Sequence, residues 1–392
     1  MFLKKSNISK LGIFFMLIPI FQPKIFTQYT ITTYIYILLN IGLLIYLLVK
    51  FYKDNVKISK PCFVWIIYRV WLLISSLIAN NLSGILQWGY LSIMVFNLFL
   101  IFDLCKKDKQ IKLLDCIFQL STILLFINLI TLILFPRGII KSTFYNVTDS
   151  DYFFLGIKTQ FTTMIFPGLS AILFLYQYNK QKYKKKLILF IIIALFNVFY
   201  KSISTAIIGL ILLVILLLIE KVSKIKFTSK FYIICVILFQ VLIVFFNIQI
   251  LFSSFFSNVL HKDATLSSRI YIWQNAKDLL INESLFTLLF GNGVVEHNEV
   301  VYYSGDYWQP HNQLLVWLYN SGIFGTLYIL YFFNLLLKNS ENNNKFYRKN
   351  LLICVTIMLM TVTEVYFDVA VCYVPFLITY FMTNTNNKEK LI

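Results

Sequence analysis

Charged residues are scarce in this chain of 392 residues, and the 17 Asp and Glu and three His are outnumbered by 35 Lys and Arg. Only 13% of the residues are charged, whereas 59% are hydrophobic and 18% are aromatic. This balance excludes an ordinary soluble globular domain and is typical of a membrane protein with many spans. Cysteine is also rare: the six cysteines fall outside the predicted outer loops, so no disulfide framework is expected.

Long apolar runs fill most of the chain. A helix needs about 20 apolar residues to cross the hydrocarbon core of a bilayer, and such runs leave no room for a separate soluble domain. We therefore predict an all-α polytopic membrane protein in which residues 1–392 form a single integral membrane domain. The twelve predicted spans are 11–26, 31–50, 61–79, 84–104, 113–135, 160–178, 187–200, 203–219, 231–251, 313–337, 350–367 and 369–383.

Lysine is abundant between the apolar runs, and its distribution predicts the topology. The formal charge of +18 would suggest nucleic acid for a soluble protein, but in a membrane protein such charges mark cytoplasmic loops. The side with both termini receives 26 of the 35 Lys and Arg, the opposite side receives 8, and one lies within a span. We predict a multi-pass cell-membrane protein with cytoplasmic N- and C-termini and no nucleic-acid partner. The richness in Ile, Lys, Asn, Phe and Tyr predicts AT-rich coding, as in a low-GC bacterium.

Irregular polar sequence is concentrated in two predicted outer loops, at residues 136–159 and 252–312. The second loop is the longer and contains all three histidines, so we expect the active site there. Within it, ATLSSRIYIWQNAKDLLIN predicts an amphipathic helix on the membrane surface, with Trp273 at the level of the lipid headgroups. The run SLFTLLFGNG ends with two glycines that can bring the backbone close to a ligand. A simple interfacial hairpin is the alternative interpretation.

Three stretches at the end of this loop resemble a known family. They are SSRIYIW at 267–273, FGNG at 290–293 and HNQLLVWLYNSGIFG at 311–325. Their order is similar to that of the O-antigen polymerase/ligase superfamily, in which an Arg-x-x-x-Trp helix, a Gly-x-Gly step and a His-Asn pair precede a GxxG span. The stretch YKSISTAIIGL at 200–210 also resembles the Ser/Thr-rich helix start of that family, although Lys201 stands where many members have a nearby Arg.

The resemblance implies a glycosyltransferase that uses lipid-linked sugar, and we expect no cofactor. A Wzy-type polymerase of this superfamily joins oligosaccharide repeat units into capsular, O-antigen or exopolysaccharide at the outer face of the cytoplasmic membrane. Its donor and acceptor are both linked to undecaprenyl diphosphate in the lipid bilayer, and a flippase and a chain-length regulator are implied partners.

Two alternatives stay open at this point. An O-antigen-ligase-like transferase would deliver the glycan to a different acceptor. A polysaccharide flippase or other transporter should carry charges in several spans and helices broken by Gly or Pro in matching positions of two halves. The predicted spans are mostly uninterrupted and the polar residues gather at one outer loop, which favours the transferases.

Arginine occurs at only four positions, so each arginine is a candidate for binding the diphosphate. The planar guanidinium can bind two phosphate oxygens at once, and fixed cations stabilise a diphosphate leaving group. Arg269 matches the family motif and is assigned this role. Arg137 either binds substrate as well or is a charge that snorkels to the interface. Arg69 lies within a predicted span, where it either binds substrate or pairs with Glu364 to hold helices together.

His311 is the second proposed catalytic residue. Its imidazole is suited to take a proton from the acceptor hydroxyl at neutral pH, or to hydrogen-bond the diphosphate. A histidine that only starts the helix after Pro310 is the third interpretation. The acidic residues of the large loop are scattered without a DxD pair, so no metal is expected. The other predicted substrate-binding residues are Asn312, Trp273, Lys201 and Glu364.

Overall fold

The computed structural model describes residues 8–80, 84–106, 109–142, 150–222, 227–252, 269–294, 310–338 and 345–383. This part of the chain is almost entirely α-helical, as the apolar runs predict. The helices in chain order are α1 (Lys10–Leu17), α2 (Thr30–Asp54), α3 (Lys60–Ile78), α4 (Ile85–Leu104), α5 (Gln110–Leu134), α6 (Thr162–Tyr178), α7 (Lys180–Tyr200), α8 (Ser204–Val222), α9 (Ser229–Val244), α10 (Arg269–Asn282), α11 (Leu285–Phe290), α12 (Gln313–Lys338), α13 (Lys345–Met360) and α14 (Val374–Thr383).

Within the described residues, seven helices are long and apolar enough to cross a membrane. They are α2, α3, α4, α5, α8, α12, and α6 together with the 3-10 turn Lys158–Phe161 before it. The helix α9 and the stretch Ala370–Met382 are apolar but shorter. The prediction of an all-α membrane protein is confirmed, whereas the number of twelve spans stays a prediction.

Burial separates the helices into a rim and a centre. In α2 and α8 only 17% of the apolar stretch is buried, and large side chains such as Tyr34, Leu38 and Ile45 point outward. An apolar face of this size is unfavourable in water and is suited to lipid contact. In α13, by contrast, every residue from Leu351 to Met358 is at most 2% exposed, so this helix lies in the centre of the bundle.

An aromatic cluster anchors the segment after α13 to its neighbours. The ring centroids of Phe333 on α12 and Phe367 lie 4.4 Å apart, and those of Phe333 and Phe376 on α14 lie 5.0 Å apart. Aromatic pairs in such tilted and edge-on geometries stabilise a core beyond the area that they bury. The segment Thr361–Val369 is therefore held firmly against α12 and α14.

One end of the bundle, called the loop end below, carries residues 136–161 and 269–294. There the backbone N–H of Ile25 donates to the carbonyl of Phe154 at 3.2 Å, and that of Val294 donates to Ser76 Oγ at 2.9 Å. The opposite end of the bundle carries ion pairs between helices, such as Lys10–Asp115 and Arg348–Glu220. At the loop end, hydrogen bonds from irregular segments join the helices, whereas ion pairs between helices do so at the opposite end.

Residues 136–159 contain a small β-hairpin where the sequence predicted an irregular loop. The strands β1 (Ile140–Ser142) and β2 (Ser150–Tyr152) are antiparallel, with Ile140 opposite Tyr152. Asn128 of α5 supports the hairpin, because its Oδ1 accepts from the backbone N–H of Leu155 at 2.9 Å. Its Nδ2 donates to Asn197 of α7 at 2.8 Å. Strands of three residues are too short to show an alternating pattern in the sequence.

The helix α12, which the sequence predicted as one span over 313–337, is broken at Gly322. Gly322 has φ 64° and ψ −173°, a conformation that is essentially restricted to glycine. The break frees backbone carbonyls of the preceding turn, which need partners at membrane depth. The N–H groups of Asn292 and Gly293 supply them by donating to the carbonyls of Tyr319 and Asn320 at 2.8 and 3.0 Å.

Candidate functional site

The helix α10 presents a buried stripe to the bundle. Trp273, Ala276 and Leu280 follow one another at helical spacing, as the sequence predicted, and all three are buried in the protein. They pack with Val244 at the end of α9 and Leu315 at the start of α12. The expected contact of Trp273 with lipid headgroups is wrong, because the indole is 0% exposed and lies against protein. Periodicity identified the apolar face of this helix but could not say whether lipid or protein covers it.

Arg269, the first residue of α10, forms an ion pair with Glu364. Its Nη2 donates to Glu364 Oε1 at 2.9 Å, and the two side chains are 17% and 12% exposed. Glu364 lies in the connection after α13, outside the helices. Burial raises the pKa of this carboxyl, and the positive charge of Arg269 opposes that shift. The pair therefore joins α10 to the connection and leaves part of the guanidinium accessible at the loop end.

His311 lies on a turn that is fastened to both of these elements. The indole N–H of Trp273 donates to the carbonyl of Pro310 at 2.9 Å, one residue before the histidine. On the other side, the N–H of Gln313 donates to the carbonyl of Thr361 at 3.0 Å. His311 itself is half-buried and has φ 46°, in the left-handed region. Arg269 and His311 are thus mounted on the same two supports, α10 and the segment Thr361–Val369.

Asn312 stabilises the turn that carries His311. Its Oδ1 accepts from the N–H of Leu315 at 2.9 Å, which caps the start of α12, and its Nδ2 donates to the carbonyl of Val362 at 3.0 Å. The side chain is 0% exposed. These contacts engage both the oxygen and the nitrogen of the amide and hold the His311 turn in place. The buried side chain is therefore not accessible to a substrate.

Lys201 and Arg137 lie together at the β-hairpin. Lys201 Nζ donates to the carbonyl of Pro136, lies 3.6 Å from Asp151 Oδ2 and stands 4.6 Å from the centre of the Phe153 ring. These contacts fasten the hairpin to the end of α7. Arg137 follows Pro136 and is exposed. The described contacts connect neither residue with Arg269 or His311.

Arg69 of α3 does not pair with Glu364, contrary to one of the two expectations for it. Its Nε donates to Ser92 Oγ and its Nη2 donates to the carbonyl of Trp88, both at 2.8 Å. The guanidinium carbon lies 5.7 Å from the ring centre of Trp65 and 5.6 Å from that of Trp88. The partner of Glu364 is Arg269, so the two arginines belong to separate polar groups.

Comparison with known families bears on the segment that carries Arg269 and His311. Residues 188–330 match the family model for O-antigen ligase. The match supports the resemblance to the O-antigen polymerase/ligase superfamily. No curated protein and no solved structure matches the chain. The matched segment and the apolar helices together indicate a membrane protein that processes glycans.

The O-antigen ligase match begins within α7 and ends within α12. It includes Lys201, Arg269 and His311. It does not include Glu364, which the structure nevertheless brings to Arg269. The match therefore contains two elements of the site, α10 and the His311 turn. The third element, the connection after α13, lies after the end of the match.

The glycines at 291 and 293 approach protein backbone closely, where the sequence predicted that glycines can admit a ligand. Both have positive φ, and a Cβ on Gly291 would meet the carbonyl of Asn320. A Cβ on Gly293 would meet the backbone of Ser76 on α3. The FGNG stretch therefore joins α11 to the break in α12 and to the end of α3. Ser75 Oγ completes the junction by donating to the carbonyl of Phe290 at 2.7 Å.

Lys24 was not among the residues that sequence reasoning selected. It begins a 3-10 turn, Lys24–Gln28, between α1 and α2. The backbone N–H of its neighbour Ile25 donates to the carbonyl of Phe154 at 3.2 Å, so the lysine lies at the loop end. A single lysine between two apolar runs looks like any topological charge, and the sequence offered no feature that would have distinguished it.

Proposed function

We propose that this chain is a membrane glycosyltransferase that polymerises oligosaccharide repeat units linked to undecaprenyl diphosphate. One observation carries the proposal: within the segment that matches O-antigen ligase, Arg269 and the His311 turn are fastened to each other through Trp273 and Pro310. This places a fixed cation and an imidazole at the same end of an apolar helix bundle. A lipid-linked diphosphate at a membrane surface needs such a site.

Arg269 is the residue that we assign to the diphosphate. Its guanidinium is oriented by Glu364 at 2.9 Å and remains 17% exposed. A guanidinium held in place by a carboxylate need not reorganise when negative charge develops on the leaving group. The diphosphate can take up the donors that Glu364 does not use, since guanidinium has five N–H groups. Glu364 then acts by orienting Arg269.

In the proposed reaction, the hydroxyl oxygen of the acceptor sugar attacks the anomeric carbon of the donor sugar. The bond between that carbon and the diphosphate oxygen breaks, and its electron pair stays on the diphosphate. The proton of the attacking hydroxyl passes to His311, whose ordinary pKa suits a base at neutral pH. In the other role open to it, His311 hydrogen-bonds the leaving diphosphate.

The remaining assignments follow from the position of the loop end. We propose that residues 252–312 face outward and that both termini are cytoplasmic, as the lysine distribution predicts. Arg137, exposed beside the hairpin, and Lys201 attract the anionic lipid to this end. A flippase that delivers the repeat units and a chain-length regulator are the proposed partners.

A ligase-type transferase is the second candidate, and the description of the matching family as O-antigen ligase favours it. A ligase takes one lipid-linked donor and a different acceptor, whereas a polymerase takes two lipid-linked substrates. Purified protein in micelles distinguishes them. Chain growth on lipid-linked repeat units alone supports the polymerase, and transfer only after a second acceptor is added supports the ligase.

Substitution of the two proposed catalytic residues tests the site assignment. We expect Arg269→Ala and His311→Ala to lower polymer formation by about 10²–10³-fold, the usual effect of removing one group that stabilises the transition state. Lipid-linked single repeat units should accumulate while the amount and membrane location of the protein stay normal. Asp278→Asn is the control, because Asp278 of α10 is partly exposed and its carboxylate accepts only from Gln274 of the same helix among the described hydrogen bonds. Normal polymer in both alanine variants would contradict the assignment.

A further inference from the structure

The start of α12 holds the connection after α13 at three points. The N–H of Gln313 donates to the carbonyl of Thr361 at 3.0 Å, and Asn312 Nδ2 donates to the carbonyl of Val362 at 3.0 Å. The third point lies further along the connection, where Gln313 Oε1 accepts from the N–H of Phe367 at 2.9 Å. One glutamine therefore reaches both ends of the segment between Thr361 and Phe367, through its backbone and through its side chain.

Glu364 lies between these points. The backbone at this position is neither helix nor strand, and the carboxylate accepts from Arg269 Nη2 at 2.9 Å. Because no helical hydrogen bonds fix this backbone, the position of the carboxylate depends on where the ends of the segment are held. The two residues that hold them follow directly after His311 in the chain. The start of α12 thus sets the position of Glu364 relative to the histidine.

The ring of Phe367 is held separately from its backbone. Its centre lies 5.7 Å from that of Trp317 and 4.4 Å from that of Phe333, both on α12. Apolar packing keeps the residue against the helix but is not directional, whereas a hydrogen bond requires its donor to point at the acceptor. Gln313 therefore fixes the orientation of the peptide group at the end of the segment.

Tyr366 holds the same segment from another side. Its hydroxyl lies 3.1 Å from Oγ1 of Thr162, the first residue of α6. This contact ties the segment to a helix that carries neither Arg269 nor His311. The side chain of Gln313, in contrast, ties the segment to the helix that begins next to His311.

One half of the Gln313 amide has no partner. The side chain is 0% exposed. The backbone N–H of Phe367 can only donate, so the amide oxygen must face it and the amide nitrogen points elsewhere. That nitrogen is buried and has no hydrogen-bond partner among the described residues. A buried donor without an acceptor destabilises a fold, so the stability of the core does not account for a glutamine at this position.

We infer that Gln313 is a positioning residue of the proposed transferase. Its side chain holds the segment that carries Glu364 in the place where Arg269 and His311 act on the same substrate. The inference rests on the proposed function and deepens it, since Gln313 itself touches no substrate. A displacement of about 1 Å at a site can lower a rate by about 10²-fold. Loss of this hydrogen bond should therefore slow the chemical step and leave substrate binding nearly unchanged.

Gln313→Met removes the hydrogen bond to Phe367 and nearly keeps the volume of the side chain. It also removes the unpartnered amide nitrogen, so two effects of opposite sign on stability offset each other. We expect an unfolding midpoint in detergent close to that of wild type. In polymer formation from lipid-linked repeat units, kcat should fall about 10–100-fold while KM stays near the wild-type value.

Gln313→Glu should give the opposite combination. An oxygen of the new carboxyl can still accept from the N–H of Phe367, but a buried carboxyl is less favourable than a buried amide. We therefore expect a lower unfolding midpoint than for Gln313→Met, and a higher kcat. If Gln313 only stabilised the fold, the more stable variant would be the more active one. That order of activities would overturn the inference.

A double-mutant cycle shows whether Gln313 acts through Glu364. Glu364→Gln already removes the carboxylate that orients Arg269. Adding Gln313→Met to this variant should therefore lower kcat little further. A loss in the double variant equal to the product of the two single losses would contradict the inference.

Gln240→Met is the matched control. Gln240 of α9 is 4% exposed, and its Nε2 donates to Thr361 Oγ1 at 2.9 Å and to the carbonyl of Met358 at 3.4 Å. Its Oε1 is buried and has no partner in the described part of the chain. This amide contacts the start of the connection, before Glu364, so kcat should stay as in wild type. An equal loss of kcat in Gln240→Met and Gln313→Met would overturn the inference, whereas absence of any product with wild-type protein would count against the proposed function.

Discussion

The break in α12 gives a prediction whose size can be worked out from the structure. Gly322 has φ 64° and ψ −173°, and a Cβ there would meet the carbonyl of Leu289 and the backbone nitrogen of Gly291. We therefore expect Gly322→Ala to destabilise the protein. Forcing alanine into this region of φ and ψ costs about 1–3 kcal/mol before any overlap with Leu289 is counted.

Gly42→Ala is the matched control. Gly42 lies on the exposed side of α2, its φ is not positive, and a Cβ there would meet nothing within 4 Å. Alanine in the middle of a helix is favoured over glycine by about 1 kcal/mol. The two variants, which make the same chemical change, should therefore differ in unfolding free energy by at least about 2 kcal/mol.

Thermal unfolding in detergent, followed by intrinsic fluorescence, measures this difference. We expect a lower midpoint for Gly322→Ala than for wild type, and an equal or higher midpoint for Gly42→Ala. Polymer formation should fall in Gly322→Ala as well, because the first half of α12 carries the His311 turn. Equal midpoints for the two variants would show that the break in α12 is not a built feature of the fold.

Two further predictions concern the charged side chains of the loop end. Burial raises the pKa of Glu364 above its ordinary value of 4.5, so its carboxyl holds a proton more tightly in the folded protein than in the unfolded chain. The stability of wild type relative to Glu364→Gln should therefore fall as the pH rises from about 4.5 through the folded-state pKa. Unfolding midpoints of both proteins, measured across this pH range, test this prediction. The absence of a trend, or the opposite trend, would refute the reasoning. Lys201→Met removes the contacts with Pro136 and Asp151, which are partly exposed and contribute less than about 1 kcal/mol, so overall stability should change little. Limited proteolysis should then cut the β-hairpin faster than in wild type, and an unchanged cutting rate would mean that Lys201 does not hold the hairpin.

The sequence predicted most of the helical architecture, because hydropathy and period are local properties. The stripe of Trp273, Ala276 and Leu280 is an example, since any helix over these residues gathers them on one face. Arg269 and His311 were selected from their motif, and the structure mounts both on α10 and the Thr361–Val369 connection.

What the sequence could not predict depends on how helices face one another. One of the two interpretations of Arg69 paired it with Glu364, but the position of a residue along a span does not give the rotation of its helix about the helix axis. In the structure Glu364 faces Arg269, and Arg69 faces Ser92 and Trp88. The break at Gly322 was missed for a related reason: it is stabilised by Asn292 and Gly293, which come from a different segment.

Reconstitution of glycan synthesis tests the central claim most directly. Purified wild-type protein, in micelles or in vesicles, would receive only undecaprenyl-diphosphate-linked repeat units, and the products would be separated by length. The account predicts chain growth without any other protein, and its loss in Arg269→Ala. Movement of the lipid across the vesicle membrane without new glycosidic bonds would contradict it.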